Sequence, residues 1–259
     1  MIQLKRHSII GMIHVNALPG TPKYKNNNAQ IIEKAVQEAQ IYKENGIEVL
    51  MIENMHDVPY VKNDVGHEIS SLMGIIAYQI KQKTDLPLGI QILAGANKAA
   101  LAVAKNAGAD FIRAEGFVFG HVADEGYIDS QAAELLRYRK HIDADNIAIF
   151  TDIKKKHSSH ALTADLDITE MAHAAEFFLS NGVIVTGMHT GSSADLDELQ
   201  RVKSATRLPV IVGSGITADN IHAYMPYADA FIIGSYFKKD GYWENDLDTK
   251  RIKKLMDCL

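Results

Sequence analysis

The chain has 259 residues, 47% of them hydrophobic, a net charge of −5 and a single cysteine, Cys258. That length and apolar content suffice for one sizeable core, and the mild acidity excludes general nucleic-acid binding, which brings a basic excess. One cysteine excludes an internal disulfide framework, no run of about 18 apolar residues marks a membrane span, and the start lacks a signal-peptide pattern, so a cytoplasmic protein is expected.

Short apolar runs alternate with amphipathic segments from end to end. Strands are predicted at 8–14, 48–53, 87–93, 109–115, 146–153, 182–186, 209–213 and 228–234. Between them, Ile32, Ala35, Val36, Ala39 and Tyr42 recur at helical spacing, as do Ile168, Met171, Ala172, Ala175, Phe178 and Leu179. Asn97, Ser193 and Thr217 are expected N-caps. Near-continuous apolar strands suit a parallel sheet covered by helices. Eight such units without a composition break predict a single (β/α)8 TIM barrel over residues 1–259, with eight parallel strands and long βα loops. An open doubly wound sheet is the alternative. It would carry a dinucleotide fingerprint in the first turn, which instead reads His14-Val-Asn-Ala-Leu-Pro-Gly20. Long connections at 15–30, 116–129 and 154–167 face short opposite turns, which marks one elaborated face.

Alternation along the fourth strand turns Phe111, Arg113 and Glu115 inward and Ile112 and Ala114 outward. A buried guanidinium needs an anionic partner, and Glu53 or Asp152 can supply it. His14, Glu53, Gln91 and Asp152 fall in or at the ends of other strands, where catalytic groups sit in this architecture. A purely structural network of the same residues is the competing reading. After the fifth strand, Lys154 and Lys155 are read as solvated, whereas Lys156 and His157 are candidates for anion binding and proton transfer. Histidines at 14, 56, 67, 121, 157, 160 and 189 fall in loops or at strand ends and leave a divalent metal as a candidate cofactor. No HExxH or paired-cysteine spacing marks a metal site, so no metal ligand is assigned.

Three strand endings are rich in Gly, Ser and Thr. They are Thr186-Gly187 with His189, Gly213-Ser214-Gly215, and Gly234-Ser235. Glycine lets backbone N–H groups approach an anion closely. Paired endings after strands seven and eight match the phosphate cradle of many (β/α)8 barrels. Plain turn chemistry is the bland alternative for each loop.

Further motifs are Ile10-Gly-Met-Ile-His14, Leu18-Pro-Gly20-Thr-Pro22, Glu53-Asn54, Asp57-Val-Pro59-Tyr60, Val65-Gly66-His-Glu68, Phe111-Ile-Arg113, Asp152-Ile, Lys156-His157 and Lys238-Lys-Asp-Gly241. Together with the Gly–Ser endings, this set resembles the BtpA/SgcQ family over nearly the whole length. The resemblance implies a ribulose-phosphate-binding-type barrel. The family takes its name from a role in photosystem I accumulation, and other members accompany sugar-uptake genes. The chain departs from the family pattern at Ala114-Glu115-Gly116-Phe117, at His189 and at the insert around Asn26, Asn27 and Asn28.

Two functions fit these features. The first is an enzyme acting on a phosphorylated small metabolite, a sugar phosphate or nucleotide-like compound. Glu53, Asp152, His157 and His14 would do acid/base work of the isomerase, epimerase or lyase kind, and Arg113, Lys156 and the Gly–Ser loops would hold the anion. A flavin in the same cradle is the weaker variant. The second is a non-catalytic assembly factor that uses the barrel as a scaffold. Its interface, or that of a homo-oligomer, would come from residues 75–80 and from Phe117, Phe119, Tyr236, Phe237, Tyr242 and Trp243.

Overall fold

The computed structural model describes residues 1–187 and 191–259. In chain order the first elements are β1 (Ser8–His14), α1 (Asn28–Glu44), β2 (Val49–Glu53), α2 (His67–Thr84), β3 (Leu88–Gln91), α3 (Asn97–Ala107) and β4 (Phe111–Ala114). Next come β5 (His121–Ala123), β6 (Gly126–Ile128), α4 (Ala132–His141), β7 (Ala148–Asp152), β8 (Ser158–Ser159) and α5 (Ile168–Phe177). The last are β9 (Gly182–Val185), α6 (Leu196–Ala205), β10 (Val210–Val212), α7 (Ile221–Tyr224), β11 (Ala230–Ile233) and α8 (Thr249–Met256). Strands β1, β2, β3, β4, β7, β9, β10 and β11 close a barrel, with β1 paired to both β2 and β11. The eight expected strands are all present. Each ends within about two residues of its expected limits, the usual uncertainty of element boundaries.

Two apolar layers hold the barrel. Ile10, Met12, Val49, Met51, Phe111, Phe150, Ile184, Ile211 and Ile232 fill its interior with neighbours of their own. Ile9, Ile13, Leu50, Ile52, Ile112 and Ile149, on alternate strand positions, pack outward against helix residues such as Ala35, Tyr42, Ile76 and Leu101. This is the period-two alternation of a strand buried on both faces. The interior rings are accommodated by glycine. A Cβ on Gly89 would stand 2.2 Å from the Phe111 ring, and one on Gly182 would stand 2.7 Å from the Phe150 ring. Gly89→Val is therefore expected to destabilise the fold by roughly 1–3 kcal/mol through overpacking, measured by urea unfolding. An unchanged midpoint would mean that the ring can move aside.

Register sets the mouth. His14 pairs with Glu53 and Glu53 with Gln91, so these three polar residues form one row at the C-terminal end of neighbouring strands. The loops after β4 and β7 build a small antiparallel sheet in the order β6-β5-β8 beside that row. Three expected caps are corrected. Asp195 caps α6, its side chain accepting from Glu198 N–H, in place of Ser193. Asn220 precedes α7, and its side chain accepts from Thr217 N–H, so Thr217 is not the cap. Asn97 is the first residue of α3, and its amide serves Glu115. Among the described residues, no helix is long and apolar enough to cross a membrane.

Candidate functional site

A cavity of about 160 Å³ opens at the C-terminal ends of the barrel strands. Its wall includes His14, Glu53, Arg113, Lys156, Gly213, Ser214, Gly215, Gly234 and Ser235. Each of these is a site candidate on sequence grounds. The wall also holds Thr217, Tyr236 and Gly241, which the sequence marks as a cap, an interface aromatic and part of a motif, and Arg251, which nothing in the sequence marks.

The two Gly–Ser endings differ in what they offer. Gly213 N–H donates to Val185 O at 2.9 Å and so belongs to the barrel ladder. The N–H groups of Ser214, Gly215, Gly234 and Ser235 donate to no acceptor among the described residues. A backbone N–H at a polar cavity wall wants a partner. Gly215 holds φ +68°, and a Cβ there would meet the Ser193 backbone at 2.4 Å. A Cβ on Gly234 would touch the His14 ring at 2.9 Å. Both endings are therefore glycine because two backbones, or a backbone and a ring, meet there. Arg251 adds a cation from α8. Its Nε donates to Tyr236 O at 2.5 Å and its guanidinium lies 4.5 Å over the Tyr236 ring. Nothing local in the sequence separates Arg251 from the surface cations of an amphipathic helix.

Facing the cradle are the ionisable groups. Arg113 donates from Nε and Nη2 to the two oxygens of Asp152, both at 2.8 Å. The pair is buried, with side chains 4% and 0% exposed. Burial works against the guanidinium charge, but Asp152, with Glu53 and Glu115 beyond it, holds the group above its ordinary value. Burial likewise raises Glu53, against the pull of Arg113 and Lys156. Lys156 is pushed down by burial and by the Arg113 charge. His14 Nδ1 lies 3.2 Å from Trp243 O, so that nitrogen carries the hydrogen and Nε2 keeps its lone pair. Burial, reinforced by Lys238, lowers His14 to about 3. It is a neutral imidazole at pH 7.

Desolvation likewise lowers His56 and His121 to about 4. Unfolded imidazoles titrate near 6.5. Between that value and about 3 to 4 the unfolded chain binds more protons, so stability is lost as pH falls through this window. Replacing His14 by Gln should flatten that loss, read from urea midpoints at stepped pH from 7 to 4. An unaltered slope would show that His14 takes up its proton at the same pH in the folded and the unfolded chain.

Other expected residues lie elsewhere. Asp152 sits beneath Arg113 rather than on the cavity wall. His157 is exposed. Thr186 and Gly187 line a separate recess with Ser193, Asp195 and Tyr224, and His189 lies outside the described residues. Lys155 is corrected from solvated to buried. Its ammonium is 3.2 Å from Glu115 and 3.7 Å from Glu125, with Glu115 also held by Gln91 and Gly95 N–H. Phe117 and Phe237, read as exposed interface aromatics, are fully buried, whereas Tyr242 is exposed. In residues 75–80, Ile76, Ala77 and Ile80 are buried, and Ile75 and Tyr78 are exposed. Among the described residues, no group of three or more His, Cys, Asp or Glu is arranged to hold a metal.

The model of the BtpA family matches residues 5–259. A mitochondrial protein of Caenorhabditis elegans, itself uncharacterized, is 51% identical over 99% of this chain and 94% of its own length. The photosystem I biogenesis protein BtpA of Synechocystis sp. is 32% identical over 97% of this chain and 87% of its own. Among solved structures, (S)-3-O-geranylgeranylglyceryl phosphate synthase of Thermoplasma acidophilum, in complex with sn-glycerol-1-phosphate, superposes with a TM-score of 0.62. It covers 98% of this chain and 93% of that one at 17% identity. At that identity the likeness concerns the fold.

Proposed function

The chain belongs to the BtpA family, and from that premise we propose that it binds a small phosphorylated metabolite at the barrel mouth and performs acid/base chemistry on it, as an isomerase, epimerase or lyase. The observation that carries this reading is that Ser214, Gly215, Gly234 and Ser235, whose N–H groups donate to no acceptor among the described residues, line a cavity that also presents Glu53, His14, Lys156 and Arg251. Anions are held by such backbone donors and by arginine. The fold neighbour that carries sn-glycerol-1-phosphate supports the ligand class. About 160 Å³ is small beside the roughly 300–1,000 Å³ of drug-sized ligand sites. A phosphate with a short carbon chain suits it better than a flavin.

In this reading the phosphate takes the cradle and Arg251, and the carbon chain points to the opposite wall. Glu53 carries the proton to or from the carbon next to a carbonyl. His14, neutral and with Nε2 unprotonated, accepts a hydrogen bond from a substrate hydroxyl. The Arg113–Asp152 pair supplies a fixed positive edge for the developing oxyanion. Thermal melts with dihydroxyacetone phosphate and with unphosphorylated dihydroxyacetone test this. The phosphorylated compound should raise the melting temperature and the other should not. Equal effects, or none, would remove the cradle from the account.

The second reading is an assembly factor, favoured by the name of the Synechocystis relative. It predicts no stabilisation by small phosphates.

A further inference from the structure

Four lysines near the mouth have different company. Lys154 lies 3.6 Å from Glu198, Lys155 is shared by Glu115 and Glu125, and Lys238 donates to both oxygens of Glu38 at 2.7 and 2.8 Å. Lys156 has no carboxylate within 4 Å among the described residues, although it stands on the cavity wall beside Arg113 and Glu53. An ammonium half-buried beside a guanidinium, with Glu53, Asp152 and Glu115 acting on it only from beyond ion-pair distance, is poorly placed as a charge. The same amine, neutral, is well placed as a nucleophile. As an anion clamp it would duplicate Arg251, which already lies on the cradle side.

We propose that Lys156 forms a Schiff base with the carbonyl group of the bound metabolite, which narrows the ligand to phosphorylated ketones and aldehydes. This rests on the phosphate-binding reading above. The Nζ lone pair attacks the carbonyl carbon, and the C=O π electrons move to oxygen. One proton passes from nitrogen to that oxygen, and a second comes from the Glu53 carboxyl. Water then leaves as the nitrogen lone pair forms the C=N bond of an iminium ion. The resulting Glu53 carboxylate takes a proton from the adjacent carbon, and the C–H electron pair flows into the iminium to give an enamine. No oxidant or reductant enters. Burial, which lowers Lys156 and raises Glu53, favours the free amine and the protonated acid that this sequence begins from.

Sodium borohydride reduces iminium ions to stable secondary amines, so the intermediate can be trapped. The full chain is incubated with dihydroxyacetone phosphate or glyceraldehyde 3-phosphate, reduced, digested and mapped by mass spectrometry. The expected result is a reduced adduct on Lys156, lost in Lys156→Arg and kept in Lys154→Arg. Melting of Lys156→Arg with and without inorganic phosphate serves as the fold control. If Lys156 carries no adduct while inorganic phosphate still stabilises the parent, the amine has no such role and the cradle stands. An adduct spread evenly over surface lysines overturns the proposal as well. An adduct on Lys156 without any phosphate stabilisation upholds the amine and contradicts the cradle.

Discussion

Replacing Asp152 by Asn is expected to cost about 3–5 kcal/mol of stability, the usual penalty for removing one partner of a buried ion pair. The Arg113 guanidinium, 4% exposed, would keep its charge, lose its counter-charge, and face an amide NH2 in place of one of its two 2.8 Å acceptors. The remaining carboxylates near it, Glu53 and Glu115, act on it electrostatically and make no hydrogen bond to it among those described. Urea unfolding reads the loss as a lower midpoint at an unchanged slope. The paired variant Arg113→Met with Asp152→Leu separates two roles. Burial of well-packed apolar side chains in place of an ion pair is often neutral or stabilising, so much of the stability should return. If the pair also serves the site, stabilisation by dihydroxyacetone phosphate stays lost in that stable double variant. Its full return would confine Arg113 and Asp152 to holding the barrel.

The second large effect is expected at the cradle. Gly215→Asp puts a side chain where φ is +68° and where the Ser193 backbone lies 2.4 Å from the new Cβ, and it adds a negative charge beside the N–H groups. A ligand at about a hundred times its dissociation constant stabilises its protein by about 2.7 kcal/mol. The parent should show that gain with dihydroxyacetone phosphate and Gly215→Asp should show none. Because the substitution strains the loop by itself, Arg251→Ala is the companion. It removes one donor to the anion, a charged hydrogen bond of about 1.5–3 kcal/mol, and should weaken binding by roughly 10- to 100-fold. Binding that survives both changes would place the anion elsewhere.

The barrel was legible because its signal is local. Each strand is a short apolar run ended by a polar or glycine residue, and period-two alternation on β4 was enough to turn Arg113 inward and require its carboxylate. The row of His14, Glu53 and Gln91 follows from strand ends and register alone. What the sequence hid depends on loops folding over one another. Lys155 and Lys156 are adjacent and alike in sequence. The loop that carries them bends so that Lys155 reaches Glu115 and Lys156 lines the cavity. Arg251 belongs to the last helix and is held beside the cradle by Tyr236. Asn97 looked like a cap because caps are made by such residues at helix starts. In the fold its amide is engaged by the backbone of Glu115. Gly213 resembled its neighbours in composition, yet its N–H is committed to Val185 O.

In the proposed complex the phosphate of a small carbonyl compound rests on the strand endings at Ser214–Gly215 and Gly234–Ser235 with its carbon chain toward Lys156. A crystal structure with dihydroxyacetone phosphate tests it most directly. The expected result is phosphate oxygens within hydrogen-bonding reach of those four N–H groups and of Arg251, and the carbonyl carbon beside Lys156 Nζ. A phosphate seated in the recess lined by Thr186, Gly187 and Tyr224, or a mouth left empty at saturating ligand, would contradict it.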